Sequence, residues 1–293
     1  MKKFYYLLLA FALVLPFSCT KPGANGDDNN GNNEVKMPDP ATKQVASIVT
    51  FPVETAPEVL VKNGKAKVKK IEFTESSRYI MNFVPATKAA DEEVIVGTYT
   101  YKDGVYTLSG IGSVKVSGNS VTVTPSSGEA QTVTATVTAT KTSSDFQSNA
   151  ARTWKVNSVI VGLAGGNVNI EKKFSGCDLE EIANYAKNNG VPFKDSEMES
   201  LKGMKMSEVI FTGANTFAIS FTNGKCYIGT CSISSSKSFN YKLEEGNDLL
   251  NTSASGTIDF PANSKCALTL NTTADHNGTT YKGTLEFDFT EQK

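Results

Sequence analysis

Apolar and polar residues alternate along most of this chain. Near the end, Tyr281, Gly283, Leu285, Phe287 and Phe289 interleave with Lys282, Thr284, Glu286, Asp288 and Thr290. A period of two places each set on one face of a β-strand, so this segment is a strand with one buried face. Val133, Ala135, Val137 and Ala139 alternate in the same way with Thr132, Thr134, Thr136, Thr138 and Thr140. That pattern gives an apolar face backed by a row of hydroxyls, which is either a solvated strand face or a surface for sugar or ordered water. The first half of the chain carries further strands over 45–51, 67–74, 78–84, 93–101, 105–109, 113–116 and 120–124. Trp154 to Val161 opens the second half, which continues with strands over 207–212, 216–222, 225–233, 238–243, 255–260, 265–271 and 280–290. Lys102-Asp103-Gly104 and Ser117-Gly118-Asn119 supply residues that tolerate positive φ. Short strands joined by such turns make an antiparallel meander, not a βαβ sheet.

The two halves repeat one pattern. When residues 69–83 are set beside 207–221, Ile71 meets Val209, Phe73 meets Phe211 and Thr74 meets Thr212. Tyr79 then meets Phe217, Met81 meets Ile219 and Phe83 meets Phe221, and Gly97-Thr98 and Gly229-Thr230 follow in similar places. This predicts two related all-β units over 45–144 and 145–293, each a barrel or a two-sheet sandwich. A short helical insert is expected near 178–202. Asp178 and Glu181 form a capping-box start, Leu179, Ile182 and Ala186 mark one face, and Asn188-Asn189-Gly190 ends the helix. A second short helix is expected over 195–202, with Met198 and Leu201 turned inward.

Arg152-Thr153-Trp154-Lys155-Val156 at the head of a β meander resembles the opening of calycin or lipocalin-like domains. In that family a Trp near the first strand plugs the closed end of an eight-stranded up-and-down barrel, and a Gly commonly stands where Arg152 does here. The resemblance implies a barrel able to hold one small apolar molecule. If so, Phe211, Phe217, Phe221 and Phe287 line the cavity and the helical insert lies over a barrel end. A surface module for glycan or an envelope protein is the alternative, with a platform drawn from Tyr99, Tyr101, Tyr106, Tyr227 and Tyr241. A scaffold unit that binds nothing small is the third reading.

Ahead of both units, Lys2 and Lys3 precede an apolar run of 14 residues, Phe4 to Phe17. A spanning helix needs roughly 20 residues, so the run reads as an export signal over 1–18. Leu15-Pro16-Phe17-Ser18-Cys19 resembles the lipobox of bacterial lipoproteins, in which the cysteine is acylated and becomes the mature N-terminus. The resemblance implies a lipid anchor at Cys19 and attachment to the bacterial outer membrane. An ordinary secretory signal cut near Ser18 or Ala24 is the alternative. Residues 19–44, rich in Asn, Gly and Asp, cannot bury enough surface to order a chain and read as a tether. Asp27-Asp28 is similar to the acidic signals of surface-displayed lipoproteins.

Composition narrows the remaining chemistry. Removing Lys2 and Lys3 with the signal leaves 27 basic against 30 acidic residues, which is no footprint for nucleic acid. Cys177, Cys226, Cys231 and Cys266 form either two disulfides, in any of three pairings, or buried free thiols. His276 is the only histidine and no CxxC is present, so neither a metal nor another cofactor is expected. His276 lies in the turn sequence Asp275-His276-Asn277-Gly278, and no Gly-x-Ser-x-Gly elbow accompanies it. Gly110-Ile111-Gly112 and Gly162-Leu163-Ala164-Gly165-Gly166 lack the helix start of a phosphate loop. The chain is expected to be non-catalytic. If the anchor is right, Cys19→Ser moves the protein from the membrane fraction to the soluble fraction of a cell lysate, and unchanged sedimentation with membranes would refute it.

Overall fold

The computed structural model describes residues 47–61, 64–74, 77–84, 94–139, 150–191, 193–243, 253–276 and 278–292. The signal, Cys19 and the tether lie outside the described residues. Among those residues no helix is long and apolar enough to cross a membrane. The fold is all-β, and each half closes into a barrel rather than a sandwich.

The first barrel contains β1 (Ser47–Thr50), β3 (Gly64–Phe73), β4 (Arg78–Phe83), β5 (Val94–Lys102), β6 (Val105–Leu108), β7 (Gly112–Ser117), β8 (Ser120–Pro125), β9 (Gln131–Thr134) and β10 (Thr136–Ala139), hydrogen-bonded in the order β10-β1-β3-β4-β5-β6-β7-β8-β9. β9 and β10 are one strand interrupted at Ala135. β8 pairs with its first half and β1 with its second, which closes the sheet. A further strand, β2 (Glu58–Val61), pairs with β3 alone. The segment Glu58-Val59-Leu60-Val61 has no alternation, so the period-two pattern did not reveal it.

In the second half β14 (Lys205–Phe211), β15 (Thr216–Phe221), β16 (Cys226–Ile233), β17 (Ser238–Leu243), β18 (Ser253–Ala262), β19 (Lys265–His276) and β20 (Thr279–Glu291) form a continuous meander. β11 (Thr153–Gly165) pairs with β20 on one side and with β14 on the other, at Thr153↔Ile210 and Trp154↔Val209, and so closes the ring. Between β11 and β14 come β12 (Val168–Ser175), β13 (Cys177–Asp178) and helices α1 (Leu179–Asn188) and α2 (Asp195–Leu201). β12 and β13 were not legible as strands in the sequence. The Asp178 side chain accepts from the Glu180 and Glu181 amides at 3.1 and 3.2 Å and so caps α1.

The repeat extends to backbone register. Phe73 faces Tyr79 as Phe211 faces Phe217, and Ile71 faces Met81 as Val209 faces Ile219. The ladder slips at Val68/Lys70 in one barrel and at the matching Met206/Glu208 in the other. Ser77 and Asn215 occupy equivalent hairpin turns with φ of 60° and 66°. Gly97 stands opposite Tyr79 as Gly229 stands opposite Phe217. The correspondence holds around the whole ring: Leu108 and Tyr241, Val123 and Leu270, and Gln131 and Leu285 take equivalent places. Val49 in β1 holds the position of Trp154, since Val49 pairs with Ile71 as Trp154 pairs with Val209. The barrels differ most in what lies between their first two ring strands: β2 in one, and β12, β13 and both helices in the other.

Matching faces of the two barrels meet. Ile80, Ile210, Ala218 and Ile228 form a buried cluster, with Val94 and Val96 packed against it. The Arg78 guanidinium donates to Glu208 Oε2 at 2.8 Å, and the Thr216 hydroxyl donates to buried Glu72 Oε2 at 2.7 Å. Tyr79, Met81 and Phe83 point the other way, into the first barrel, as Phe217, Ile219 and Phe221 point into the second. The alternation read from sequence is therefore buried on both faces here, which is why Ile80 and Ala218 occupy positions that a one-sided strand would leave polar.

A Cβ at Gly229 would lie 2.1 Å from the Lys242 carbonyl oxygen. Gly229→Ala is expected to cost about 1–3 kcal/mol through overpacking, measured as a lower midpoint in urea unfolding; an unchanged midpoint would contradict this packing.

Candidate functional site

Phe211, Phe217, Phe221 and Phe287 all lie in the interior of the second barrel, at most 7% exposed. Phe211 stacks on Phe217 with centroids 5.3 Å apart, and both meet Phe239 edge-on. Phe221 packs against Tyr227, and Phe287 stacks on Phe289. Ile182, Ala183, Ala186 and Leu201 of the helical insert join the same apolar cluster. The structure thus brings the four phenylalanines into one core, with neighbouring rings in contact.

Trp154 is fully buried. Its indole N–H donates to the Ala150 carbonyl at 3.1 Å, and its ring lies 5.9 Å from that of Phe260. Arg152, also buried, lies over that ring, donates to the Asn263 carbonyl at 3.0 Å and pairs with Glu291. A cation held this way inside the fold ties the start of β11 to the end of β20 and to the β18–β19 turn.

The first barrel is built differently at its mouth. Gln131 Oε1 accepts from the Glu58 amide and Gln131 Nε2 donates to the Glu58 carbonyl, both at 2.9 Å. A side chain thereby imitates a strand partner and holds β2 over the barrel end. Val59 turns inward and is buried, while Leu60 is 46% exposed. Beside this flap opens a cleft of about 320 Å³ lined by Leu60, Val61, Tyr79, Ile95, Ser109, Gly110, Ile111 and Ser126. Tyr79 is positioned by the Ser109 carbonyl, to which its hydroxyl donates at 2.9 Å. Burial pushes that hydroxyl up to about 12. Gly97 makes room for the ring, since a Cβ there would lie 2.5 Å from it. The described lining carries no charge. Sequence reasoning did not find this cleft, because Leu60 and Val61 sit on an unpatterned strand and Gly110-Ile111-Gly112 is weighed only against a phosphate loop.

Of the five candidate platform tyrosines, Tyr241 is buried and Tyr227 is half-buried against Phe221. The other three gather on the first barrel. Tyr101, 60% exposed, lies 4.7 Å from Tyr106, which stacks on Phe73 at 4.1 Å and meets Tyr99 edge-on. The threonine row at 132, 134, 136 and 138 is exposed, and Thr132 shares a 2.9 Å hydroxyl contact with Thr122.

Cys177, Cys226, Cys231 and Cys266 are free thiols. Cys177, Cys231 and Cys266 lie in the second barrel's core, while Cys226 faces outward from β16. Burial pushes the thiols of Cys177, Cys226 and Cys231 up to about 12 and raises that of Cys266 well above its ordinary value. A thiol held protonated is a poor nucleophile. His276 ends β19, its backbone paired with Thr279. Among the described residues no cluster of His, Cys, Asp or Glu is arranged to hold a metal.

No family model matches the chain, and no curated protein does. Among solved structures, the vaccine antigen transferrin binding protein B of Haemophilus parasuis aligns with 11% identity and a TM-score of 0.25, over 86% of this chain and 46% of its own. The isotype 1 transferrin binding protein B of serogroup B Neisseria meningitidis aligns with the same identity and score, over 78% of this chain and 53% of its own. The chain thus spans about half the length of these structures. At that score the superposition is loose, and the fold and cleft rest on the chain's own geometry.

At pH 8 in native buffer, Cys177, Cys231 and Cys266 should resist alkylation by iodoacetamide and react fully in denaturant, as peptide mapping would record. Rapid native labelling of any of the three would contradict their burial.

Proposed function

We propose that this is a non-catalytic, lipid-anchored binding protein of the bacterial cell envelope that carries a small apolar ligand. The observation that carries the reading is the open, uncharged cleft at the mouth of the first barrel. Its volume sits at the lower end of small-molecule sites, and a mostly apolar wall with a few hydroxyls suits a neutral molecule of modest size. The sequence placed the ligand among Phe211, Phe217, Phe221 and Phe287. The cleft at Leu60, Ile95 and Ile111 moves the reading to the first barrel, since the four phenylalanine rings already meet aromatic neighbours. An anchor at Cys19 and a polar tether would hold such a carrier outside the cytoplasm, at the outer membrane. The buried, protonated thiols are poor nucleophiles, which favours a binding role.

A second reading rests on Tyr101. An exposed ring backed by Tyr106 and Phe73 is rigid enough to stack against a sugar, so a glycan-binding surface on the first barrel is the alternative.

Mass spectrometry of the purified protein should find a neutral apolar molecule bound in about one copy per chain. Ile95→Trp, which fills the cleft, should weaken binding of that molecule by at least about tenfold, or about 1.4 kcal/mol. Retention of the ligand by Ile95→Trp would remove the cleft from the account. Absence of any ligand, together with glycan binding that Tyr101→Ala abolishes, would favour the second reading.

A further inference from the structure

The contact between the barrels is related to itself by a quasi-two-fold exchange. Because the barrels share one register, each residue of the first has a counterpart in the second: Lys70 and Glu208, Glu72 and Ile210, Arg78 and Thr216, Ile80 and Ala218, Val94 and Cys226, Val96 and Ile228. Across the contact, Glu72 of β3 meets Thr216 of β15, while Arg78 of β4 meets Glu208 of β14. Since β3 corresponds to β14 and β4 to β15, these two contacts are the same strand pairing taken in opposite senses. β5 lies against its own counterpart β16, as strands beside a two-fold axis must. This is the geometry of an isologous interface, in which one patch meets a copy of itself.

We infer that the two barrels dock as a self-complementary pair of once-equivalent units, and that Arg78 with Glu208 makes the docking specific for unlike partners. The apolar centre of Ile80, Val96, Ala218 and Ile228 does not discriminate, because it is greasy on both sides. The charges do. If a second copy of the first barrel replaced the second barrel, Arg78 would face Lys70 in place of Glu208 and would also stand where Thr216 now meets Glu72, so each guanidinium would sit between a like and an unlike charge. If two copies of the second barrel met, Glu208 would be covered with no cation beside it. The first wrong pairing sets Arg78 against Lys70 and the second leaves Glu208 uncompensated; the observed pairing avoids both. Burial raises the Glu208 carboxyl pKa and Arg78 opposes that shift, consistent with a charge that depends on its partner.

Cys226 reports the docked state. It lies on the outer face of β16, on the side that meets the first barrel, and receives the Ser220 hydroxyl at 3.8 Å, whereas Cys231 and Cys266 report on the barrel interior. The full chain carrying Glu208→Lys, Arg78→Glu or both is labelled with a maleimide, and each cysteine is followed by peptide mass spectrometry. Each single variant should label Cys226 at least about tenfold faster than the parent, with Cys231 and Cys266 still protected. The double variant, which reverses the pair, should return Cys226 to the parent rate. Unchanged Cys226 labelling in both single variants, or failure of the double variant to restore protection, would overturn the inference. So would exposure of Cys266 in Arg78→Glu, because a first-barrel change that opens the second barrel means one fused core, not two docked units.

Discussion

Two carboxylates buried between two β-sheets constrain this molecule more than any other feature. Glu72 is fully buried and Glu208 nearly so, and each is covered by the opposite barrel. A charge in such a place is tolerated only with a well-placed partner, and removing one member of such a pair is far costlier than never having built it. Arg78 supplies that partner to Glu208, and one oxygen of Glu72 accepts from the Thr216 hydroxyl; each contact comes from the other half of the chain. Burying the β3–β5 face against the β14–β16 face therefore requires these partners to be in place. The apolar cluster of Ile80, Ile210, Ala218 and Ile228 lies beside them, and with it comes the double burial of β4 and β15.

The rest of the architecture can be read as one ring used twice with different fillings. In the second barrel the interval between the first two ring strands holds β12, β13 and two helices, whose Ile182, Ala186 and Leu201 extend the apolar core past the ring. In the first barrel the same interval holds a 3-10 turn (Val53–Thr55) and β2, and the mouth stays partly open. Trp154 against Val49 shows the same divergence at a single position: the larger residue fills its ring, and the smaller one leaves the space to others. A filled barrel suits a support, and an open one suits a site.

Much of this was legible in the chain. The strand pattern gave all the ring strands of the first barrel and the meander of the second, because a strand with one wet face must alternate. Asp178 and Gly190 marked the helix ends through capping chemistry. The hairpin match of Ile71, Phe73 and Tyr79 with Val209, Phe211 and Phe217 pointed to repetition, which the register then extended to the full ring. The failures have physical causes. β2 and β13 lie outside the rings and are too short or too irregular to show period two; β12 does alternate, with Asn169, Glu171, Lys173 and Ser175 exposed, but Lys172 interrupts the apolar run of its inner face. The choice of barrel over sandwich depends on whether the last strand reaches the first, a long-range pairing that no local window contains. The cleft arises where a flap crosses a ring, so residues as distant as Leu60 and Ser126 meet there without any motif. Aromatic content drew attention to the four phenylalanines, but it cannot separate a lined cavity from a packed one.

The hold of Gln131 on Glu58 has a mechanical meaning. β2 is tied across the barrel end by one carboxamide, while its own ladder runs only to β3. Swinging this flap outward would break two hydrogen bonds and leave the closed ring of β1 and β3 to β10 untouched. On the proposed carrier reading, a passenger would enter or leave through a door whose hinge is separate from the walls, so traffic through the mouth need not loosen the house.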